Sequence, residues 1–197
     1  MVPLLKGGSM SPKIEGEKGE KEAILEVAKL MLASARTAPK TAGIDDILTL
    51  IVYGEEKDAI AEKMNEIGED RKIDGFKRDA KNVKDSEAVV LIGVRGNKSL
   101  GFNCGACGYK DCKEFEDVKK RVGQDFAGPT CLFKALDLGI ALGSAVKMAG
   151  LLNIDNRIMY RIGTAALKLG FMPEATVAMG IPLSARGKNI YFDRKWP

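Results

Sequence analysis

The sequence predicts an α/β domain, and three observations carry that expectation. Residues 47–53 (ILTLIVY) and 87–94 (EAVVLIGV) are continuous apolar runs of strand length, the pattern of strands covered on both faces. Around them, residues 20–37, 55–69 and 73–83 repeat apolar side chains at helical spacing, and a long apolar stretch follows from residue 131. Strand, helix, strand in that order implies a parallel pair joined by a crossover.

The elements follow in order. Residues 1–19 carry Pro3, Gly7, Gly8, Pro12, Gly16 and Gly19 among charged side chains and read as a flexible arm, with Met10 a second candidate start. A single domain is expected over 20–197, a length that can bury one well-formed core. Its first helix places Ile24, Val27, Ala28, Met31 and Ala35 on one face, widened by Leu25 and Leu32. It ends near 34–37, because Pro39 disfavours helix in the residue before it.

Residues 33–43 (ASARTAPKTAG) then form a loop of small and cationic residues, suited to lie against a phosphate or a flat ring. Equally, Arg36 and Lys40 could simply offset the dipole at a helix C-terminus. Strand 47–53 is followed by an amphipathic helix at 55–69 through Ile60, Met64 and Ile67, and by another at 73–83. After strand 87–94 comes a cysteine loop, at the strand exit where open α/β sheets place functional loops.

Residues 111–122 read as a short polar helix carrying Cys112 in its first turn, and Pro129 opens a long helix with Cys131 in its first turn. Both helix N-termini would face an anionic thiolate group. Gly139, Gly143 and Gly150 in the long helix cost propensity of roughly 1 kcal/mol each and imply a close neighbour. Residues 155–169 read as an amphipathic helix ended by Gly170, 173–182 as a strand with its exit turn, 184–189 as a basic loop and 190–192 as a terminal strand.

Composition excludes several classes. No apolar run reaches membrane length, since 136–152 is interrupted by Asp137 and Lys147, and the run at 1–5 is too short for a signal peptide core. The net charge of +4 arises from 31 basic and 27 acidic residues that do not segregate. The basic cluster at 77–84 (KRDAKNVK) therefore reads as a solvated face, and no nucleic-acid partner is expected. Abundant lysine and glutamate beside no histidine and a single glutamine is the bias of proteins from hot environments.

The chemistry is concentrated in the cysteines. All four lie at Cys104, Cys107, Cys112 and Cys131, spaced C-x2-C-x4-C-x18-C. With no histidine in the chain, a soft-metal site must be all thiolate. Structural four-cysteine zinc more often uses two separated C-x2-C knuckles, whereas three close cysteines plus one remote partner is the ferredoxin manner of holding a cubane. The spacing favours a [4Fe-4S] cluster, with zinc and disulfides as alternatives. Gly105 and Gly108 each follow a cysteine, where the backbone can fold back and aim N–H groups at sulfur. Thiolates on this scale require a reducing compartment, so a cytoplasmic location is expected.

The segment Asn-Cys-Gly-x-Cys-Gly-x-x-x-Cys from Asn103, with the remote Cys131, resembles the four-cysteine iron–sulfur domain of Rnf-type electron-transport B subunits and corrinoid iron–sulfur proteins. It departs from them after Cys131, where a helix-like run replaces a second ferredoxin module. A second resemblance runs along most of the chain. The stretch MLASARTAP, with Ala38 and Pro39, is similar to the flavin-wrapping segment of FMN-dependent nitroreductases, Lys40 standing where serine is usual. Residues 138–144 (LGIALGS), 169–173 (LGFMP) and 179–182 (MGIP) resemble further short motifs of that family, and Gly150 falls at its flavin-facing glycine. The family's arginine-rich opening is missing.

The whole combination resembles the uncharacterised ferredoxin-domain-containing proteins of archaea and bacteria. This resemblance implies a nitroreductase-like three-layer sandwich, a mixed central sheet flanked by helices, with the metal motif at 103–131. It also implies a homodimer with cofactor sites at the interface, and the helix over 136–152 is the candidate dimer core. FMN, if bound, would involve Pro39, Gly143 and Gly150, with its phosphate held by Arg36, Lys40, Arg186 or Lys188. The expected function is an iron–sulfur redox protein, an oxidoreductase or an electron carrier, acting on a redox partner or a small-molecule substrate. The alternative is a non-enzymatic module stapled by its metal.

Overall fold

The computed structural model describes residues 13–192, and the arm expected at 1–19 falls mostly outside them. Its last part is not an arm: helix α1 (Gly16–Thr37) begins one turn before residue 20. The chain then makes a 3₁₀ turn (Thr41–Gly43) and enters strand β1 (Ile47–Tyr53). Helices α2 (Gly54–Arg71) and α3 (Asp74–Lys84) lead to β2 (Ala88–Val94). Next come α4 (Cys112–Asp117), the small ribbon β3 (Arg121–Val122) with β4 (Ala127–Gly128), and the long helix α5 (Leu132–Leu151). Strand β5 (Asp155–Asn156), helix α6 (Tyr160–Lys168) and strand β6 (Val177–Ser184) complete the described elements.

The central sheet has the order β1-β2-β6-β5 and every pairing in it is antiparallel. The parallel pair expected from strand, helix, strand does not form, and among the described residues the sheet is not mixed. The cause is the number of helices in the connection. A single helix would return the chain to the far end of the sheet, whereas α2 and α3 form a hairpin that runs out and back, so β2 starts beside the end of β1 (Tyr53 pairs with Ala88). Lys72 takes a left-handed conformation (φ 54°) at the turn between them, and its amide donates to Glu69 O and Gly68 O.

Two cores flank the sheet. On one face α1 and α5 pack over Val90, Ile92, Val94, Ile181 and Leu183. On the other, α2, α3 and α6 pack over Val89 and Leu91 with Phe76, Ile60 and Ile162. All seven residues of β2 are buried, and alternate side chains supply the two cores, each buried Val, Leu or Ile contributing about 1.5–3 kcal/mol. β1 lies at the sheet edge and is only half-buried, although its sequence resembles that of β2.

The tightest approach is between α6 and β6. A Cβ on Gly163 would sit 1.8 Å from Ala178 O, and one on Gly180 2.1 Å from Ile162 Cγ2, so both positions require glycine. The glycines of α5 behave differently. Gly139, Gly143 and Gly150 have nothing within 4 Å of a built Cβ, and α5 instead meets α1 through alanines and the pair Ser34–Ser144, whose hydroxyls lie 2.8 Å apart.

Two more expectations fail for tertiary reasons. Residues 155–156 pair with Ser184 and Leu183 as the outer strand, so the helix expected from 155 starts only at Tyr160. Residues 190–192 join no ladder: Tyr191 is buried by side-chain hydrogen bonds, its hydroxyl 2.8 Å from Ser86 Oγ and its carbonyl taken by Arg157 Nη1 at 3.0 Å. Burial pushes the Tyr191 phenol far above its ordinary pKa.

Candidate metal centre

The chain leaves β2 at Val94 and returns at Cys131, and both ends of this excursion are pinned to one spot. The Cys131 amide donates to Gly96 O at 2.8 Å. The Gly96 amide donates to Thr176 Oγ1 at 2.9 Å, and the Thr176 amide to Val94 O at 2.9 Å. Glycine is required at 96, since a Cβ would lie 2.4 Å from Thr130 Cγ2. The long loop therefore starts and ends on a fixed, buried platform.

Within the loop the backbone turns are local. Asn103 is left-handed (φ 50°), which asparagine tolerates better than most side chains. Its Oδ1 accepts from the Cys112 amide at 3.0 Å, while its own amide donates to Cys112 Sγ at 3.3 Å. Asp111 caps α4 by accepting from the Glu114 amide at 2.9 Å, and Glu114 reaches back to the Lys110 amide at 2.6 Å. Gly105 and Gly108 both have positive φ (68° and 88°), as the turn between them needs. Their role differs from the one expected: the Gly108 amide bonds to Gly105 O, and the N–H aimed at sulfur comes from Asn103.

All four cysteines are free thiols and all four line one chamber. Cys104 is exposed, Cys107 and Cys112 are half-buried, and Cys131 is buried. Cys112 opens α4, as expected, whereas Cys131 is the N-cap of α5 and stands just outside the helix. The chamber walls are apolar: Leu100, Phe102, Phe115, Leu132 and Phe133. Phe102 meets Phe133 edge-on at 6.1 Å, and Tyr109 meets Phe115 at 5.7 Å. Among the described residues no three Cys, Asp or Glu side chains form a ready-made site for a metal ion.

One turn beyond Cys131, the Lys134 ammonium is fully buried and paired with Asp46. Asp137 is buried too, and its Oδ1 accepts from both the Thr41 amide (2.9 Å) and the Thr41 hydroxyl (2.8 Å). These two contacts fix the start of α5 against the 3₁₀ turn and the entrance to β1. Neither residue stood out in the sequence, where they interrupt an apolar run like any surface charge. Gly96 and Thr176 were equally silent.

The residues expected to hold a flavin do not assemble in the same way. Arg36 pairs with Asp45 at 2.5 Å and donates to Ile47 O at 2.9 Å. Lys40 caps the end of α1 through Ala35 O at 2.7 Å, with Pro39 beside it, which is the helix-terminus reading of this loop. Arg186 is bonded to Asp85 O and Glu87 and lies near Glu17 and Lys21, at the opposite end of α1, and Lys188 follows in the same loop. Lys21 and Arg36 are separated by roughly 22 Å of helix, so within one protomer the two cationic pairs cannot grip one phosphate. Gly143 and Gly150 lie on the exposed side of α5.

A family model described as "Uncharacterized protein containing a ferredoxin domain (DUF2148)" matches residues 127–194, which hold Cys131, α5, α6 and β6. An uncharacterised protein of Archaeoglobus fulgidus is 52% identical over 179 residues, covering 90% of this chain and 96% of its own. The chain belongs to this family. Its ferredoxin domain supports a redox role.

Solved structures share the fold at low identity. A putative NADH dehydrogenase/NAD(P)H nitroreductase from Bacteroides thetaiotaomicron superimposes with a TM-score of 0.53 at 12% identity, over 90% of this chain and 77% of that one. An oxidoreductase containing FMN gives 0.52 at 14%, over 83% and 67%. A putative nitroreductase in complex with FMN from Desulfovibrio desulfuricans gives 0.50 at 12%, over 87% and 86%. The three-layer sandwich of this chain is nitroreductase-like. No helix among the described residues is long and apolar enough to cross a membrane.

Proposed function

We propose that this protein is an iron–sulfur redox protein in which Cys104, Cys107, Cys112 and Cys131 hold one [4Fe-4S] cluster. The observation that carries the reading is that four free cysteines from separate parts of a long loop line one apolar chamber. The donor set suits the group. Four thiolates without histidine match a cubane, and three close cysteines with one remote partner follow the ferredoxin pattern better than the paired knuckles of structural zinc. Bound there, the cluster would take up and release single electrons.

The chain's own residues set the conditions. The Asn103 amide donates to the Cys112 sulfur, and the N-terminus of the 20-residue helix α5 adds a positive dipole end beside Cys131. Phe102, Phe115 and Phe133 keep water from the chamber walls, while exposed Cys104 marks the side open to an electron partner. The FMN named for two of the similar structures gains less support here. The cationic residues available for its phosphate are engaged elsewhere and split between the two ends of α1.

The protein acts as a homodimer in this reading, with α5 at its centre. Leu132, Leu136, Ile140 and Leu151 are exposed along α5, and Gly139, Gly143 and Gly150 on the same side meet nothing in their own protomer. A second copy of the helix, approaching closely across the glycines, accounts for both features.

Purification without oxygen, followed by an absorption spectrum and metal analysis, tests the proposal. A broad band near ~400 nm with about four iron and four sulfide per chain is expected. Stoichiometric zinc in a colourless protein would leave only a structural staple.

A further inference from the structure

A second cavity shares a wall with the cysteine chamber. Residues 97–100 and 128–132 separate the two, Asn97, Lys98, Gly128 and Pro129 facing the second cavity while Ser99, Leu100, Cys131 and Leu132 face the chamber. The second cavity is an open cleft of about 510 Å³, within the range of small-molecule sites. Its other boundaries are the β3–β4 ribbon, the end of α6 and the turn at 172–176.

The charge lining this cleft is unbalanced. Four cations, Arg95, Lys98, Lys120 and Lys168, face two carboxylates, Asp125 and Glu174. Both carboxylates are already occupied. Glu174 accepts from Arg95 at 2.7 Å, and that hydrogen bond holds its carboxyl below the ordinary range. Asp125 accepts from Arg71 at 2.6 Å and from the Thr164 hydroxyl at 3.3 Å. Lys120 is committed to Phe115, its ammonium bonded to the carbonyl at 2.6 Å and 4.0 Å above the ring. That leaves Lys98, which feels the Glu174 charge without being bonded to it, and Lys168, from different elements; among the described residues no hydrogen bond or ion pair holds either ammonium. Met172, Leu167 and Phe126 supply apolar surface between the charged groups.

We infer that this cleft binds a small organic dianion, with Lys98 and Lys168 pairing its negative charges and its body lying on Met172 and Phe126. Phosphate esters and dicarboxylates share the required chemistry. The site goes beyond the cluster and does not depend on which metal the cysteines hold. It places a ligand one wall away from the chamber, where Lys120, through Phe115, touches both cavities.

Calorimetric titration of the intact, metal-loaded protein with glycerol 2-phosphate and, separately, with succinate tests the inference. Saturable binding of at least one probe is expected, with a Kd below about 1 mM at low salt and weaker at high salt. Whichever binds tighter assigns the ligand class. The double variant Lys98→Gln/Lys168→Gln should bind it more than about tenfold more weakly. Lys113→Gln, an exposed lysine paired with Asp117 outside the cleft, should match the parent protein. Both cleft lysines are exposed, so the double variant should melt at the parent temperature, and a melt confirms that it is folded. Absence of saturable binding by both probes, or an unchanged Kd in the folded double variant, overturns the proposal.

Discussion

The cysteines and the flavin-contact candidates were both picked out by resemblance as well as by chemistry, yet the fold treats them in opposite ways. Cys104, Cys107, Cys112 and Cys131 come from a loop of more than thirty residues and line one chamber. Arg36, Lys40 and Arg186 flank a single helix and end up at its two ends, each bonded to a nearby carboxylate or carbonyl. The difference lies in what restrains them. The cysteine loop is closed by the bond from Cys131 to Gly96 and shaped by Asn103, Asp111 and two positive-φ glycines, so its geometry is set within the loop itself. A long cationic side chain has no such restraint and takes the nearest acceptor its helix end offers.

Substitution at the chamber should have the largest consequence. Cys112→Ser is expected to remove the ~400-nm band and nearly all iron, whereas Arg36→Gln and Arg186→Gln should retain the parent iron content. Equal iron loss in the arginine variants would erase the distinction between the two regions.

Next in size is the support beneath the chamber. Lys134→Ala leaves Asp46 unpaired in a largely buried position and should lower stability by about 3–5 kcal/mol in denaturant unfolding. Lys40→Ala, at a half-buried helix end, should cost no more than about 1 kcal/mol.

The exposed face of α5 sharpens the comparison from another side. Ile140→Glu should convert a dimer into a monomer in sedimentation velocity while leaving the protomer folded, because its side chain is 46% exposed. A parent protein that sediments as a monomer would remove the proposed role of Gly139, Gly143 and Gly150.

The smallest effect concerns Asp45. Burial raises its carboxyl pKa, but hydrogen bonds from Arg36 and from the Ile47 amide outweigh burial and hold it below the ordinary carboxylate value. A group depressed in the folded state stabilises above its unfolded pKa of about 3.9, and that contribution is lost as pH falls through the folded value. Asp45→Asn should therefore lower the melting temperature slightly at neutral pH, by an amount corresponding to no more than about 1 kcal/mol, and the gap should close in acid.

Much of the fold was legible because it rests on local pattern. The apolar run at 47–53 and the buried run ending at Val94 are strands, and the 3.6-residue repeat in α1 marks the face that packs on the sheet. Strand direction was not legible, since it depends on whether one helix or two returns the chain. Residues 155–156 show the same limit: their sequence suits a helix start, but pairing with Leu183 and Ser184 makes them the outer strand. At the site, cysteine spacing announced the ligands. Lys134, Asp137 and Thr176 stayed hidden because their importance lies in partners far along the chain, at Asp46, Thr41 and Gly96.

Native mass spectrometry of the protein purified without oxygen tests the central claim most directly, because it weighs whatever the four cysteines hold. A protomer heavier than its polypeptide by about 350 Da, the mass of four iron and four sulfide, is the result expected, and it should be lost in Cys112→Ser. A gain of about 65 Da, one zinc ion, would contradict the account.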